Sequence, residues 1–283
     1  MSLPDNLERF AVPAPVLEVV RQLKERGFAA YLVGGCVRDM VLGRPPSDFD
    51  VATSARPEQV IAAFRKVIPT GVEHGTVTVL QRGHHVEVTT FRTEGEYVDG
   101  RRPSSVEFHE EVEHDLSRRD FTINAMAFEP DAKELVDPFG GQVDLEAAVI
   151  RCVGSAMDRF SEDGLRPLRA VRFAAVLGFS LEPATREAIP RTLDVFAKVS
   201  RERIRVELEK LLLAPRAELG LRLLLETGLL QRFLPEAMGE TFEVRVAAVQ
   251  RAPKELEVRL AALLSHARPE AVAEALRRLT FPN

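Results

Sequence analysis

The sequence predicts an α+β fold: a head built around a small mixed sheet, followed by an all-helical neck and body. Over the first 150 positions, apolar residues switch repeatedly between the strand period and the helix period. Strand signals then disappear after about residue 155, and successive segments keep the helical period between Pro and Gly breaks. Charge divides at the same place. Residues 1–150 carry 16 Lys+Arg against 25 Asp+Glu, and residues 151–283 carry 22 against 18. An acidic half suited to cations is joined to a basic half suited to phosphates.

The elements follow in order. Residues 14–26 place Val16, Val19, Val20 and Leu23 on one helical face, with Gly27 as the stop. The apolar run 29–33 reads as a strand ending at Gly34-Gly35, and 37–42 as a helix closed by Gly43. A strand is expected over 47–53, a helix over 57–66, and strands over Thr76–Gln81 and 85–92, joined at Arg82-Gly83. Helices are expected over 165–177, 184–197, 203–213, 217–226, 241–250, 255–265 and 269–278. The chain thus divides into a head (1–150), a neck (151–215) and a body (216–283).

Composition excludes several classes. With 45% apolar residues in 283, the chain can bury more than one core. No apolar run approaches the roughly 20 residues that span a bilayer. The first residues carry no basic and apolar secretion signal, so a cytoplasmic location is expected. Cys36 and Cys152 are too few for a disulfide framework or a zinc site, and both are expected as buried thiols. The six histidines show no metal-ligand spacing.

Two motifs carry chemistry. Gly34-Gly35-x-x-Arg38-Asp39 stands between a strand and a helix, where glycines let backbone approach a ligand and Arg38 offers a phosphate donor. It is neither a P-loop nor a dinucleotide-binding turn. Asp48-Phe49-Asp50 follows in a strand pattern that projects both carboxylates to one face and turns Phe49 to the core. Like charges so close call for a cation, and Mg²⁺ is the natural oxygen-seeking partner. Glu87 is a candidate third carboxylate.

Together with FRTEGEYVDGRRPSSVEF (91–108), DLSRRDFTINAMA (115–127) and SEDGLRPLRAVRFAAVLGF (161–179), these motifs resemble the class II tRNA nucleotidyltransferases and bacterial poly(A) polymerases, within the superfamily of DNA polymerase beta. The resemblance implies a polymerase-beta-like head in which Asp48 and Asp50 bind Mg²⁺ for two-metal nucleotidyl transfer. It also implies that Gly34, Gly35 and Arg38 cradle a triphosphate and that Arg119 meets the nucleotide. Asn124 is a lesser candidate for ligand contact. The residues alone leave the Arg118-Arg119 pair ambiguous, since one of them can simply pair with Asp120. The resemblance further implies that Asp163 and Arg166, read as neighbours on one helix face, act as a protein template for the base. A carboxylate and a guanidinium match the amine and bare ring nitrogen shared by cytosine and adenine, and mispair with uracil and guanine. Arg169 and Arg172 continue the series, either reaching phosphate or sugar or capping the helix face. Pro167 departs from helical geometry just there and displaces Arg166 unless the helix begins late.

The activity implied is transfer of CMP and AMP from CTP and ATP to the 3′ end of tRNA, building its CCA terminus, with tRNA as partner and no obligate protein partner. The segment 93–103 matches a loop carried by CCA-adding and A-adding members, which argues against a CC-only enzyme. A-adding and poly(A)-adding activities remain the alternatives. A non-catalytic RNA-binding relative is the rival of another class, and the intact Asp-x-Asp speaks against it. The resemblance implies further helical body and a tail beyond LRRLTFPN.

Overall fold

The computed structural model describes residues 5–95 and 105–282, in two compact units that divide between Ala147 and Ala148. Most of the segment 93–103 lies outside the described residues.

The first unit contains, in order, α1 (Ala14–Glu25), β1 (Ala30–Val33), α2 (Gly35–Val41), β2 (Asp50–Thr53), α3 (Pro57–Ala63), β3 (Val67–Gly71), β4 (Thr76–Gln81), β5 (His84–Thr90), β6 (Arg92–Glu94), β7 (Val106–Phe108), α4 (Val112–Ser117), β8 (Ala127–Glu129), β9 (Glu134–Val136) and α5 (Gly141–Glu146). Seven strands form a mixed sheet in the order β3-β4-β5-β2-β1-β8-β9, with β2 and β5 its one parallel pair among the described residues. Alternation does the sorting: Val51, Val77, Val79, Val86 and Val88 are all buried, while Asp50 and Glu87 stay exposed. Val16, Val19, Val20 and Leu23 of α1 are buried, as their helical spacing predicts. The β4–β5 hairpin turns at Arg82 (φ 46°) and Gly83 (φ 82°), both left-handed as a two-residue turn requires.

Two expectations here are corrected. The strand expected over 47–53 begins only at Asp50, because its partner β1 stops at Val33 and gives way to Gly34. Segment 67–71, unassigned from sequence, is the edge strand β3. Pro69 is tolerated there because the register slips between Ile68 and Gly71.

The second unit contains β10 (Val149–Ile150), α6 (Ala156–Glu162), α7 (Arg166–Leu177), β11 (Ser180–Leu181), α8 (Pro183–Arg191), α9 (Leu193–Phe196), α10 (Arg201–Leu212), α11 (Ala217–Glu226), α12 (Leu229–Phe233), α13 (Phe242–Arg251), α14 (Leu256–Leu264) and α15 (Pro269–Arg278). It is not purely helical. β10 and β11 pair in parallel over two residues each, too short to leave a periodic signal. Gly220 of α11 lets that helix approach α7, since a Cβ there would stand 2.9 Å from Ala175 Cβ.

Two arginines are buried in this unit. Arg259 (2% exposed) donates to the carbonyls of Leu212 (2.5 Å) and Ala214 (3.2 Å) at the end of α10, and to those of Ala252 (3.3 Å) and Pro253 (3.1 Å) after α13. Arg245, also 2% exposed, donates to Leu263 O (2.9 Å) and Met238 O (3.0 Å). Burial lowers the Arg245 pKa from its ordinary value. A guanidinium fork suits this task, because carbonyls at helix C-termini carry partial negative charge and lack intrahelical donors. Arg259→Met should therefore leave several buried acceptors unsatisfied and reduce unfolding free energy by about 3 kcal/mol, read by chemical denaturation.

Candidate active site

One row of the sheet organises the first unit's site. Glu87 pairs with Asp50, Asp50 with Val33, and Val33 with Ala127. Side-by-side residues share a face, so Asp50 and Glu87 project together. Asp48 stands just before β2, where Ser47 Oγ donates to its Oδ2 at 3.0 Å. Asp48, Asp50 and Glu87 line one cavity of about 610 Å³. Phe49 is half-buried and lines the same cavity, instead of facing the core as the strand pattern implied. It precedes the strand, so alternation does not govern it.

Asp50 has its pKa raised, first by the loss of solvent around the carboxyl and then by the nearby Glu87 charge. Arg119 partly offsets this and Asp48 adds to it. Cys36, buried beside Asp50, is pushed up to about 11 by its burial and donates its Sγ hydrogen to Val33 O at 3.3 Å. It is a packed thiol. Cys152 is likewise buried. The crowded carboxylates fit a cation. Among the described residues, however, no three His, Cys, Asp or Glu side chains converge into a preformed metal cage. Mg²⁺ is commonly held by one or two carboxylates together with waters and substrate phosphates.

On the other side of Asp50, β1 runs into Gly34, whose φ of 74° and ψ of −127° belong to a region that favours glycine. A Cβ there would meet Arg119 Nη1 at 2.7 Å, so the missing side chain is the space the guanidinium fills. Arg119 donates to Asp115 Oδ2 (3.0 Å) and to Asn124 O (3.4 Å), and its buried Nε has no partner among the described residues. Arg118 also pairs with Asp115, at 2.7 Å. Burial alone would raise the Asp115 carboxyl, but Arg119 and Arg118 outweigh it and hold it below the ordinary carboxylate range. The sequence left this arginine pair ambiguous and offered Asp120 as a partner. Both share Asp115, which sequence reasoning missed although its i+3 and i+4 spacing to the two arginines was there to read. Arg38 donates to Asp39 (2.9 Å) and to Asn124 Oδ1 (2.8 Å). Asn124, packed against Asp120, therefore belongs to this group as a support. Gly35 opens α2, and its backbone lies beside the Arg38 guanidinium.

In the second unit, Asp163 and Arg166 do not share a helix face. Asp163 is the extended cap that ends α6, and Arg166 is the first residue of α7, which places Pro167 in a first turn where proline costs little. Asp163 accepts from Leu165 N–H (3.0 Å) and Arg203 (2.7 Å), while Arg166 donates to Glu162 (2.5 Å) and Arg159 O (3.1 Å). Arg172 pairs closely with buried Glu207, and Arg169 lies 3.6 Å from the same carboxylate. Glu162, Arg203 and Glu207 left no sequence signal, because their partners are 35 or 40 residues distant or across a helix break.

Comparison with known proteins bears on this arrangement. The family of the poly A polymerase head domain matches residues 30–151, and that of the probable RNA- and SrmB-binding site of polymerase A matches residues 178–239. The crystal structure of the Bacillus stearothermophilus CCA-adding enzyme in complex with CTP superposes with a TM-score of 0.83 at 40% identity, covering 96% of this chain and 67% of that one. The chain belongs to the tRNA nucleotidyltransferase and poly(A) polymerase family. Its first unit is a polymerase-beta-like head of that family. The CCA-adding enzyme of Geobacillus stearothermophilus is 50% identical over 237 residues, 84% of this chain and 58% of that protein. A tRNA nucleotidyltransferase complexed with a primer tRNA and an incoming ATP analogue matches with a TM-score of 0.77 at 27% identity, over 94% of this chain and 80% of that one. The chain spans a little over half the length of the curated relatives it matches. Among the described residues, no helix of this family member is long and apolar enough to cross a membrane.

Two outcomes follow. Gly34→Ala combines a forbidden backbone angle with a clash against Arg119, so it should cost about 1–3 kcal/mol in stability and weaken nucleotide binding, measured by denaturation and by calorimetry. A raised pKa means that Asp50 keeps its proton to higher pH than an ordinary aspartate, and cation capture needs the ionised form. Glu87→Gln removes a like charge, so the Asp50 titration midpoint should move down, followed by carboxyl NMR on the metal-free protein. An unmoved midpoint would show that the two carboxylates do not sense one another.

Proposed function

We propose that this chain builds the CCA end of tRNA, transferring CMP and AMP from CTP and ATP to the RNA 3′ terminus with release of pyrophosphate. The observation that carries the reading is the row of the sheet that sets Asp50 and Glu87 beside Gly34, with Arg119 packed on the glycine. Carboxylates there suit a cation, and the adjacent arginines suit a triphosphate. Similarity to CCA-adding enzymes, one of them solved with CTP, supports the same reading.

The chain's own residues divide the work. Asp48 and Asp50 would hold Mg²⁺, with Glu87 as the third carboxylate at the cavity. When bound, the ion would neutralise phosphate charge and make the 3′-hydroxyl a better nucleophile. Arg119, fixed by Asp115, turns its guanidinium toward the phosphates, and Gly34, Gly35 and Arg38 complete the cradle. Held rigidly, such donors stabilise developing charge without reorganising. Asp163 and Arg166 read the base, with orientations set by Arg203 and Glu162. Arg169 and Arg172 lie on the same helix and are fixed through Glu207.

A labelled-nucleotide extension assay with Mg²⁺ tests this. On tRNA lacking CCA we expect addition of C, C and A, then termination. One A added only to tRNA ending in CC would make it an A-adding enzyme, long A tracts a poly(A) polymerase, and no incorporation the non-catalytic relative. Asp48→Ala and Asp50→Ala should abolish transfer in a folded protein. Arg166→Ala should reduce the preference for CTP and ATP over UTP by about two orders of magnitude.

A further inference from the structure

Two histidines that the sequence left without a role stack on one another. The rings of His109 and His114 lie 4.2 Å apart between centroids and 23° from parallel. His109 is half-buried and follows β7. Its backbone N–H donates to Phe91 O (2.9 Å), and its Nε2 shares a hydrogen bond with Thr93 Oγ1 of β6 (2.7 Å). His114 is exposed on α4, immediately before Asp115. The stack therefore clasps α4 to the β6–β7 pair, one residue from the carboxylate that holds Arg118 and Arg119. The two imidazoles differ in their counter-charges. His114 Nε2 stands 3.6 Å from Glu111 Oε2, whereas His109 forms no ion pair with a carboxylate among the described residues. The other ionisable groups on these segments are Arg92 of β6, Glu107 of β7, Glu110 ahead of α4, and Glu113 and Asp115 of α4. From the neighbouring strands come Asp50 of β2, on which α4 packs, and Tyr31 of β1, which senses Glu113. Asp115 is already committed to its two arginines.

We infer that His109 and His114 are positioning residues for Arg119, acting through a clasp that acid opens. While at most one ring is charged, the neutral ring stacks on its partner, and Glu111 faces a charge at His114. Two imidazolium rings 4.2 Å apart repel one another, and Glu111 stands against only one of them. Imidazoles gain their protons between about pH 5 and pH 8. The clasp is therefore closed above that range and is lost as pH falls through it. Once it opens, the segment that carries Asp115 loses its tie to β6, and Arg119 loses a fixed partner. Capture of a phosphate by Arg119 then weakens, because the guanidinium must be ordered by the ligand instead of by the fold. The effect on nucleotide binding rests on the nucleotidyl-transfer reading, but the clasp itself does not.

The test uses the 283-residue chain with the variants His109→Phe and His114→Phe, each of which keeps a ring in the stack and removes one charge. CTP affinity is measured calorimetrically with Mg²⁺ and without RNA. All three proteins should bind alike at about pH 7.5, and at about pH 5.5 the wild type should lose about tenfold more affinity than either variant. The carboxylates of the site are common to all three, so the difference isolates the imidazoles. An acid loss as large in either folded variant as in the wild type would overturn the proposal, as would a wild type that loses nothing. If the wild-type chain binds no CTP at either pH, the nucleotide reading fails separately. Amide hydrogen exchange along α4 then decides the clasp: protection lost in acid by the wild type and kept by the variants upholds it, and equal protection overturns it.

Discussion

Because Val33 pairs with both Asp50 and Ala127, the end of β1 falls beside the first carboxylate of β2, and the chain must turn there. Gly34 is the residue that can make this turn and leave room for a guanidinium at the same time. A slip of one residue between β1 and β2 would carry Asp50 to the buried face and remove the acidic pocket. Val51 and Val88, paired and buried on the opposite face, hold the register against such a slip. The hydrophobic pattern of three short strands thus fixes where charges of both signs can meet.

The arginines of the head are restrained before any ligand arrives. Asp115 lies wholly buried under Arg118 and Arg119 and stays ionised because of them. Breaking such a buried pair from one side is costly. Rotamer freedom is therefore surrendered on folding and not on any later binding. The second unit repeats the device with Glu207 beneath Arg172 and Arg169, and with Arg203 on Asp163.

Helices punctuated by Gly and Pro were legible in the sequence: Ala217–Glu226 and Pro269–Arg278 have the boundaries that their spacing predicts. Hairpin β4–β5 was equally plain, because Gly83 between two alternating runs admits positive φ. Shorter pieces escaped. β3 carries a proline that argues for a loop unless its edge position is known, and β10 and β11 are two residues each. The carboxylates of the site were visible as Asp-x-Asp, but their setting was not, since Asp48 precedes the strand and Glu87 reaches Asp50 only through a parallel pairing. Asp163 and Arg166 look like helical neighbours in sequence and belong to different helices, because Gly164 packs its backbone on Val195 O with no room for a Cβ.

The buried guanidinium of Arg259 gathers carbonyls from the ends of α10 and α13 while standing on α14. No one of these helix ends can fray alone without depriving a desolvated cation of an acceptor. Local opening is thereby linked to opening of the whole cluster, so hydrogen exchange across the three helices should report a single cooperative block.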